Sequence, residues 1–201
     1  MKKTLCVICI LASAILFLPS AEAVPITYIA NLSGPSESPP NASPGTGIAT
    51  VIVDPVAHTM DVDTTFSGLV TTGTGTTAAH IHAPTAAPFT GTAGVATTTP
   101  TFPGFPLGVT SGTYIHVFDL TDASSYNPSF VTANGGLIAN AETALLAAIV
   151  GGTAYFNIHT NTFPGGEIRG FLTPVPEPGT MMLLGSALVG LVGYGRRRMK
   201  K

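Results

Sequence analysis

Residues 49–66, ATVIVDPVAHTMDVDTTF, indicate the fold class of this 201-residue chain. In residues 49–53, Ala and two Val alternate with Thr50 and Ile52, and in residues 60–66, Met, Val, Thr and Phe alternate with two Asp and a Thr. Such alternation is typical of a strand that buries one of its faces. Residues 54–59, which separate the two runs, begin with Asp-Pro and have the composition of a turn. The stretch therefore predicts a β-hairpin.

Beyond this hairpin the sequence predicts further short strands, at residues 114–120, 153–160 and 167–172. Pro-Gly-Gly at 164–166 predicts a turn between the last two strands. Only residues 141–150 have the apolar spacing of a helix. We expect an all-β fold, a Greek-key-like β-sandwich of about seven or eight strands with one short helix. Residues 85–112 carry no clear pattern, and no structure is predicted for them.

Charge is scarce and unevenly placed along the chain. Charged residues make up 9% of the sequence and hydrophobic residues 45%. This balance excludes a charge-rich disordered protein, a coiled coil and a basic nucleic-acid-binding protein. Seven of the eight basic residues lie in the first three and the last six positions, whereas residues 24–173 hold eight acidic residues against Arg169 alone, a net charge of −7. We therefore expect no nucleic-acid partner.

The N-terminus has the pattern of a secretory signal peptide at residues 1–23. Two lysines precede an apolar run at 5–18, and Ala-Glu-Ala at 21–23 forms a cleavage site. Cleavage is predicted after Ala23, and a retained membrane anchor is the alternative. Both cysteines lie inside this segment, so the mature protein is expected to form no disulfide.

The C-terminus combines three features in order within residues 174–201. Pro176, Glu177 and Pro178 are followed by an apolar run at about 180–195 and a basic tail at 196–201. This arrangement resembles the PEP-CTERM sorting signal of Gram-negative bacteria that make exopolysaccharide. The resemblance implies a transmembrane helix held transiently in the inner membrane, processing by an exosortase, and exposure of the domain outside the cell. An ordinary C-terminal anchor is the alternative.

Two separated motifs in residues 24–173 resemble the CHRD (chordin-type) domain. The first is Phe-Ser-Gly-Leu at 66–69 followed by Ala-His-Ile-His-Ala-Pro at 79–84, where the family usually has Gly in place of Ala83. The second is Tyr-Phe-Asn-Ile-His-Thr at 155–160 followed by Pro-Gly-Gly-Glu-Ile-Arg-Gly at 164–170. The resemblance implies a β-rich extracellular module, and it brings no catalytic mechanism with it.

Three histidines in these motifs are candidate metal ligands. Side chains alternate along a strand, so His80 and His82 share one face of theirs, and His159 shares a face with Tyr155 and Asn157. If the two strands are neighbours, the three imidazoles converge. Glu167 is then a weaker candidate for a fourth ligand, and such a set suits zinc or copper. The alternative is that these histidines are hydrogen-bonding anchors that fix the strand register.

Glu167 and Arg169 are two residues apart and are expected on the same strand face. They are candidates for a structural ion pair across strands. Because Arg169 is the only basic residue of residues 24–173, we expect it to be partly buried against a carboxylate.

No motif of an enzyme accompanies these residues. The sequence has no Gly-x-Ser-x-Gly nucleophile elbow and no phosphate-binding loop. We expect a secreted or surface-displayed, non-enzymatic protein associated with the extracellular polysaccharide matrix. The alternative is an extracellular zinc- or copper-binding protein, including a metal-dependent enzyme with redox activity.

Overall fold

Eight strands form one antiparallel sheet in the computed structural model, which describes residues 24–70, 73 and 75–176. The strands are β1 (Ile26–Ser33), β2 (Thr46–Asp54), β3 (Thr59–Ser67), β4 (Thr76–His82), β5 (Gly112–Asp119), β6 (Tyr155–Thr160), β7 (Ile168–Phe171) and β8 (Thr173–Pro174). Their order across the sheet is β4-β6-β7-β1-β2-β3-β5, and β8 pairs with β1. The expected all-β class and strand number are confirmed.

The predicted hairpin is formed by β2 and β3. Val51 pairs with Val62 and Val53 with Met60, so that the apolar members of both runs lie on the same buried face. An Asp54 side-chain oxygen accepts hydrogen bonds of 2.9 Å from the backbone N–H groups of Val56 and Ala57. This is the turn chemistry that the Asp-Pro sequence predicts.

The sheet curls, and Phe102 shows how its two ends meet. The fully buried ring of Phe102 lies 5.7 Å from that of Phe156 on β6, 5.8 Å from that of Tyr114 on β5 and 5.0 Å from that of Phe118 on β5. Because β6 and β5 lie near opposite ends of the strand order, these contacts require the sheet to fold round a shared core. The result is sandwich-like. The largest fully buried side chains of this core are Leu32, Met60, Phe66, Ile81, Phe102, Leu120, Leu145, Ile149, Phe156, Ile158, Ile168 and Leu172.

Residues 83–111 contain no regular strand but cover β4. Ala96 donates its backbone N–H to Ile81 O at 3.0 Å, and Phe102 donates to Ala79 O at 3.1 Å. Phe102 and Phe105 insert into the core. This segment is therefore part of the domain's interior wall, a role that its Thr-, Gly- and Pro-rich sequence does not reveal.

Two short helices pack beside the sheet. The predicted helix is α2 (Ile138–Val150), three residues longer at its start than expected, and it buries Leu145 and Ile149. A second helix, α1 (Pro128–Ala133), begins after Asn127, whose side chain accepts a hydrogen bond from Ser129 N. The expectation of a single short helix is corrected to two, because a side-chain cap and a proline start α1 without apolar periodicity.

The terminal predictions fall outside the described residues. These are the signal peptide with its cleavage at Ala23, Glu177 and Pro178, the transmembrane helix at 180–195 and the basic tail at 196–201. Within the described ranges, no helix combines the length and the apolar character needed to cross a membrane.

Candidate metal centre

The two sequence motifs meet because β4 and β6 are neighbouring antiparallel strands. His82 pairs with Tyr155, His80 with Asn157 and Ala78 with His159. Paired residues of adjacent strands project to the same side of a sheet. The pairing therefore places His80, His82 and His159 together, as the sequence predicts.

The three imidazoles form a compact buried cluster. His80, His82 and His159 are 6%, 8% and 9% exposed, and their ring centroids are 5.3–5.7 Å apart. One nitrogen of each ring belongs to a group of atoms that all lie within 4.8 Å of one another. Such distances allow one metal ion to contact all three rings after small side-chain adjustments.

Backbone carbonyls fix which nitrogen of each ring carries the hydrogen. His80 Nε2 lies 2.7 Å from Pro100 O, His82 Nδ1 lies 3.0 Å from Ala93 O, and His159 Nδ1 lies 3.0 Å from Pro164 O. A carbonyl only accepts hydrogen bonds, so each of these nitrogens donates. The lone pairs that remain are on His80 Nδ1, His82 Nε2 and His159 Nε2.

Two of these lone pairs face each other across the strand pair. His82 Nε2 and His159 Nε2 are 3.4 Å apart. Among the described residues, the buried His80 Nδ1 has no hydrogen-bond partner. Metal-ligating histidines characteristically donate their second ring nitrogen to a carbonyl or carboxylate, which fixes the orientation of the ring. The cluster has this arrangement at all three positions.

Burial keeps the cluster in its neutral form. It lowers the pKa of His80 and of His82 to about 4, although the Pro100 and Ala93 carbonyls act in the opposite direction. Burial likewise lowers the pKa of His159. Neutral imidazole is the form that binds metals, so near pH 7 the cluster could hold zinc or copper.

Aromatic rings and the 83–111 segment enclose the cluster. The ring of Tyr155 stacks on that of His82 at 4.9 Å with an interplanar angle of 6°. Phe102 lies 6.4 Å from His80 between ring centroids. Pro100 and Ala93, which accept the histidine hydrogens, belong to the covering segment. This cover explains the low exposure of all three imidazoles.

Glu167, the weaker candidate for a fourth ligand, does not lie with the three histidines. Its carboxylate is fully buried and accepts hydrogen bonds from Ser43 Oγ and Thr160 Oγ1, both at 2.6 Å, and from Val70 N at 2.5 Å. Thr160 follows His159 on β6, and successive side chains of a strand point to opposite faces. The carboxylate therefore lies on the other face from the cluster, where it ties together three separate segments.

Arg169 is buried, as expected, but its carboxylate partner is Glu37. The guanidinium donates to Ser36 O at 2.6 Å and to Gly91 O at 3.0 Å, and it lies 4.7 Å from the ring centre of Tyr155. Arg169 Nε is 3.7 Å from Glu37 Oε2. The expected pair with Glu167 does not form, because Glu167 faces the opposite side of the sheet.

Glu37 is a buried residue that the sequence analysis missed. Burial raises the pKa of its carboxyl to about 7, and it outweighs the opposing effects of Arg169 and the Ser38 N–H. Its Oε1 atom and Asn157 Oδ1 are buried without hydrogen-bond partners among the described residues. Glu37 lies in a Pro- and Ser-rich segment without strand or helix periodicity, so only the fold reveals its position.

Comparison with protein-family models gives two matches. Residues 28–172 match the CHRD domain, and residues 174–198 match the PEP-CTERM protein-sorting motif. No curated protein and no solved structure matches the chain. The sorting motif implies processing by an exosortase and export to the cell surface or the extracellular space. The CHRD match covers well over half of the chain. The chain therefore belongs to the CHRD-domain family, and it also carries a PEP-CTERM sorting motif.

Proposed function

We propose that this protein is a non-enzymatic component of the cell surface that associates with the extracellular polysaccharide matrix. The observation that carries the proposal is the PEP-CTERM motif at 174–198, which begins directly after the CHRD domain ends at residue 172. The sorting signal therefore supports exposure of this domain outside the cell, where it can meet the matrix.

An open groove offers a surface for an uncharged or weakly charged sugar. The groove has a volume of about 580 Å³ and lies over the β1, β2 and β3 ends. It is lined by Asn31, Leu32, Ser33, Ser36, Thr46, Gly47, Ile48, Thr65, Phe66 and Ser67, none of them charged. Hydroxyl and amide groups exchange hydrogen bonds with sugar hydroxyls, and the half-exposed Ile48 side chain offers apolar contact to a sugar ring. At a net charge of −7, the rest of the domain repels an acidic polymer unless cations intervene.

The enclosure of the histidine cluster supports a non-enzymatic role. Its three imidazoles are at most 9% exposed, and the 83–111 segment lies over them. A substrate larger than an ion or water has no direct access to such a site. The cluster is therefore suited to holding an ion or fixing the fold, rather than to turning over a polysaccharide.

Cosedimentation with the producing bacterium's own polysaccharide tests the proposal. The mature protein is compared with Thr65→Glu, which adds a charge inside the groove, and with Thr77→Glu, which adds the same charge at an exposed position outside it. We expect the native protein and Thr77→Glu to bind, and Thr65→Glu to bind about tenfold more weakly. An absence of retention of the native protein, with and without divalent cations, would contradict matrix association.

A second candidate function is extracellular metal binding through His80, His82 and His159. The specific observation in its favour is that one nitrogen of each buried imidazole lies within 4.8 Å of the others, while each ring also donates a hydrogen bond to a backbone carbonyl. Zinc and copper both accept imidazole nitrogen. Metal analysis of the mature protein, with melting curves in added zinc and copper, tests this function independently of matrix binding.

A further inference from the structure

The histidine cluster offers nitrogen donors alone and no negative charge. Among the described residues, the group of ligand atoms within 4.8 Å contains His80, His82 and His159 and no aspartate, glutamate or cysteine. Each ring has one nitrogen that donates to a carbonyl and one that carries a lone pair, so all three donors are neutral. A bound ion would therefore keep its full charge.

The surroundings do not compensate that charge. Arg169 is the charged side chain near His82, and it is a cation. The carboxylate of Glu37 is paired with Arg169, with Oε2 lying 3.7 Å from Arg169 Nε. Glu167 lies on the face of the sheet opposite the histidines. The free energy of charging a buried ion rises with the square of its charge, so a monovalent ion carries roughly a quarter of the burial penalty of a divalent ion of equal size.

The number and spacing of the donors favour three-coordination. Metal–imidazole bonds of about 2.0 Å place the nitrogens of a trigonal ion about 3.5 Å apart. His82 Nε2 and His159 Nε2 already lie 3.4 Å apart. Structural zinc takes four ligands, and Cu(II) prefers a tetragonal arrangement of four or more. Three nitrogens alone meet neither preference, so a divalent ion would need at least one water molecule as a further ligand beneath the cover formed by Tyr155 and the 83–111 segment.

We infer that the cluster is a copper(I) site, in which His80 Nδ1, His82 Nε2 and His159 Nε2 hold one cuprous ion in trigonal geometry. This inference rests on the second candidate function, metal binding, and adds the identity and the oxidation state of the ion. Cu(I) combines a single positive charge with a ready acceptance of three nitrogen ligands. Imidazole donors suit copper as well as zinc, so charge and coordination number decide between them.

Competition with a coloured Cu(I) chelator, bicinchoninate, tests the inference on the mature protein. The metal-stripped protein is titrated without oxygen against the chelator–Cu(I) complex, and separate titrations use Zn(II) and Cu(II). We expect one Cu(I) per chain, bound about a hundredfold or more tightly than either divalent ion. X-ray absorption of the copper complex should show three nitrogen neighbours.

Matched variants locate the ion. His82→Gln should lose Cu(I) binding, whereas His116→Gln, a half-buried histidine on β5 outside the cluster, should retain it. The native titration decides the question even if His82→Gln does not fold. If one Zn(II) per chain binds as tightly as Cu(I) or more tightly, the copper(I) assignment is overturned, but the metal-binding function is not. Failure of a folded protein to bind any of the three ions would overturn the metal-binding function as well.

Discussion

The Nε2 atoms of His82 and His159 face each other at 3.4 Å across β4 and β6, and both carry lone pairs. Two acceptors at this distance repel unless a proton or a metal ion lies between them. Burial opposes the proton, because it lowers the pKa of both imidazoles. A bound metal ion removes the repulsion by accepting both lone pairs at once, and this relationship distinguishes the cluster from a set of ordinary structural histidines.

The metal-free protein should lose stability in acid because of these histidines. The pKa of His80 and of His82 is about 4 in the fold against an ordinary value of 6.5. Their contribution to the free energy of unfolding is complete above pH 6.5 and is lost as the pH falls from 6.5 through 4. Urea unfolding at a series of pH values measures this loss. His82→Gln should flatten the profile, and an identical slope in this variant would contradict the burial of a neutral His82.

Glu37 should make the protein less stable as the pH rises, which is the opposite of the effect of the histidines. Its pKa is about 7 in the fold against an ordinary value of 4.5, so the stability it contributes is complete below pH 4.5 and is lost as the pH rises through 7. Relative to the native protein, Glu37→Gln should gain about 2 kcal/mol between pH 5 and pH 8. Denaturant unfolding of both proteins at the two pH values measures this difference, and a constant offset would show that Glu37 stays ionised throughout.

Glu167→Gln should destabilise the fold without affecting metal binding. The buried carboxylate accepts three hydrogen bonds, from Ser43, Thr160 and Val70, and an amide cannot accept all of them. We expect a loss of about 2–4 kcal/mol in the free energy of unfolding. The control is Glu142→Gln, because the amide oxygen can still accept the single hydrogen bond from the half-exposed His58, and this variant should cost less than about 1 kcal/mol. Loss of metal by a folded Glu167→Gln protein would mean that Glu167 is a ligand.

Gly166 and Gly165 form a matched pair for backbone substitution. Gly166 has a φ of +131°, and a Cβ there would lie 2.7 Å from Glu37 Oε1 and against the Asn157 side chain. Gly166→Ala should therefore cost about 2–4 kcal/mol. A Cβ at Gly165 meets nothing within 4 Å, so Gly165→Ala should be nearly neutral. Equal melting temperatures for the two variants would contradict the close packing around Gly166.

Local alternation predicted those parts of the fold in which strands run without interruption. The β2–β3 hairpin follows from residues 49–66, and the common face of His80 and His82 follows from their spacing. The pairing of β4 with β6 joins residues far apart in the chain, and residue spacing cannot predict such a pairing. The sequence therefore predicted that the three histidines converge only if these two strands are neighbours. The resemblance of both motifs to one domain family indicated that they belong to one module.

The remaining features depend on contacts that no local pattern encodes. Glu167 precedes β7 in a bend, so strand alternation does not place its carboxylate, which is fixed by Ser43 and Thr160. Glu37 and Phe102 lie in segments rich in Pro and Ser or Thr and Gly, where no periodicity marks a buried side chain. Phe102 becomes buried between the ends of the curled sheet, and Glu37 becomes buried beside Arg169 of β7.

Elemental analysis of the mature protein, recovered from outside the producing cells without added metal or a histidine tag, tests the three-histidine centre most directly. It is paired with melting curves before and after removal of metal by a chelator. The structure predicts one transition-metal ion per chain, identified as copper, and a melting temperature that falls when the ion is removed. A metal-free protein whose melting temperature is unchanged by copper and zinc would contradict a metal centre and leave the three histidines as anchors of the β4–β6 pairing.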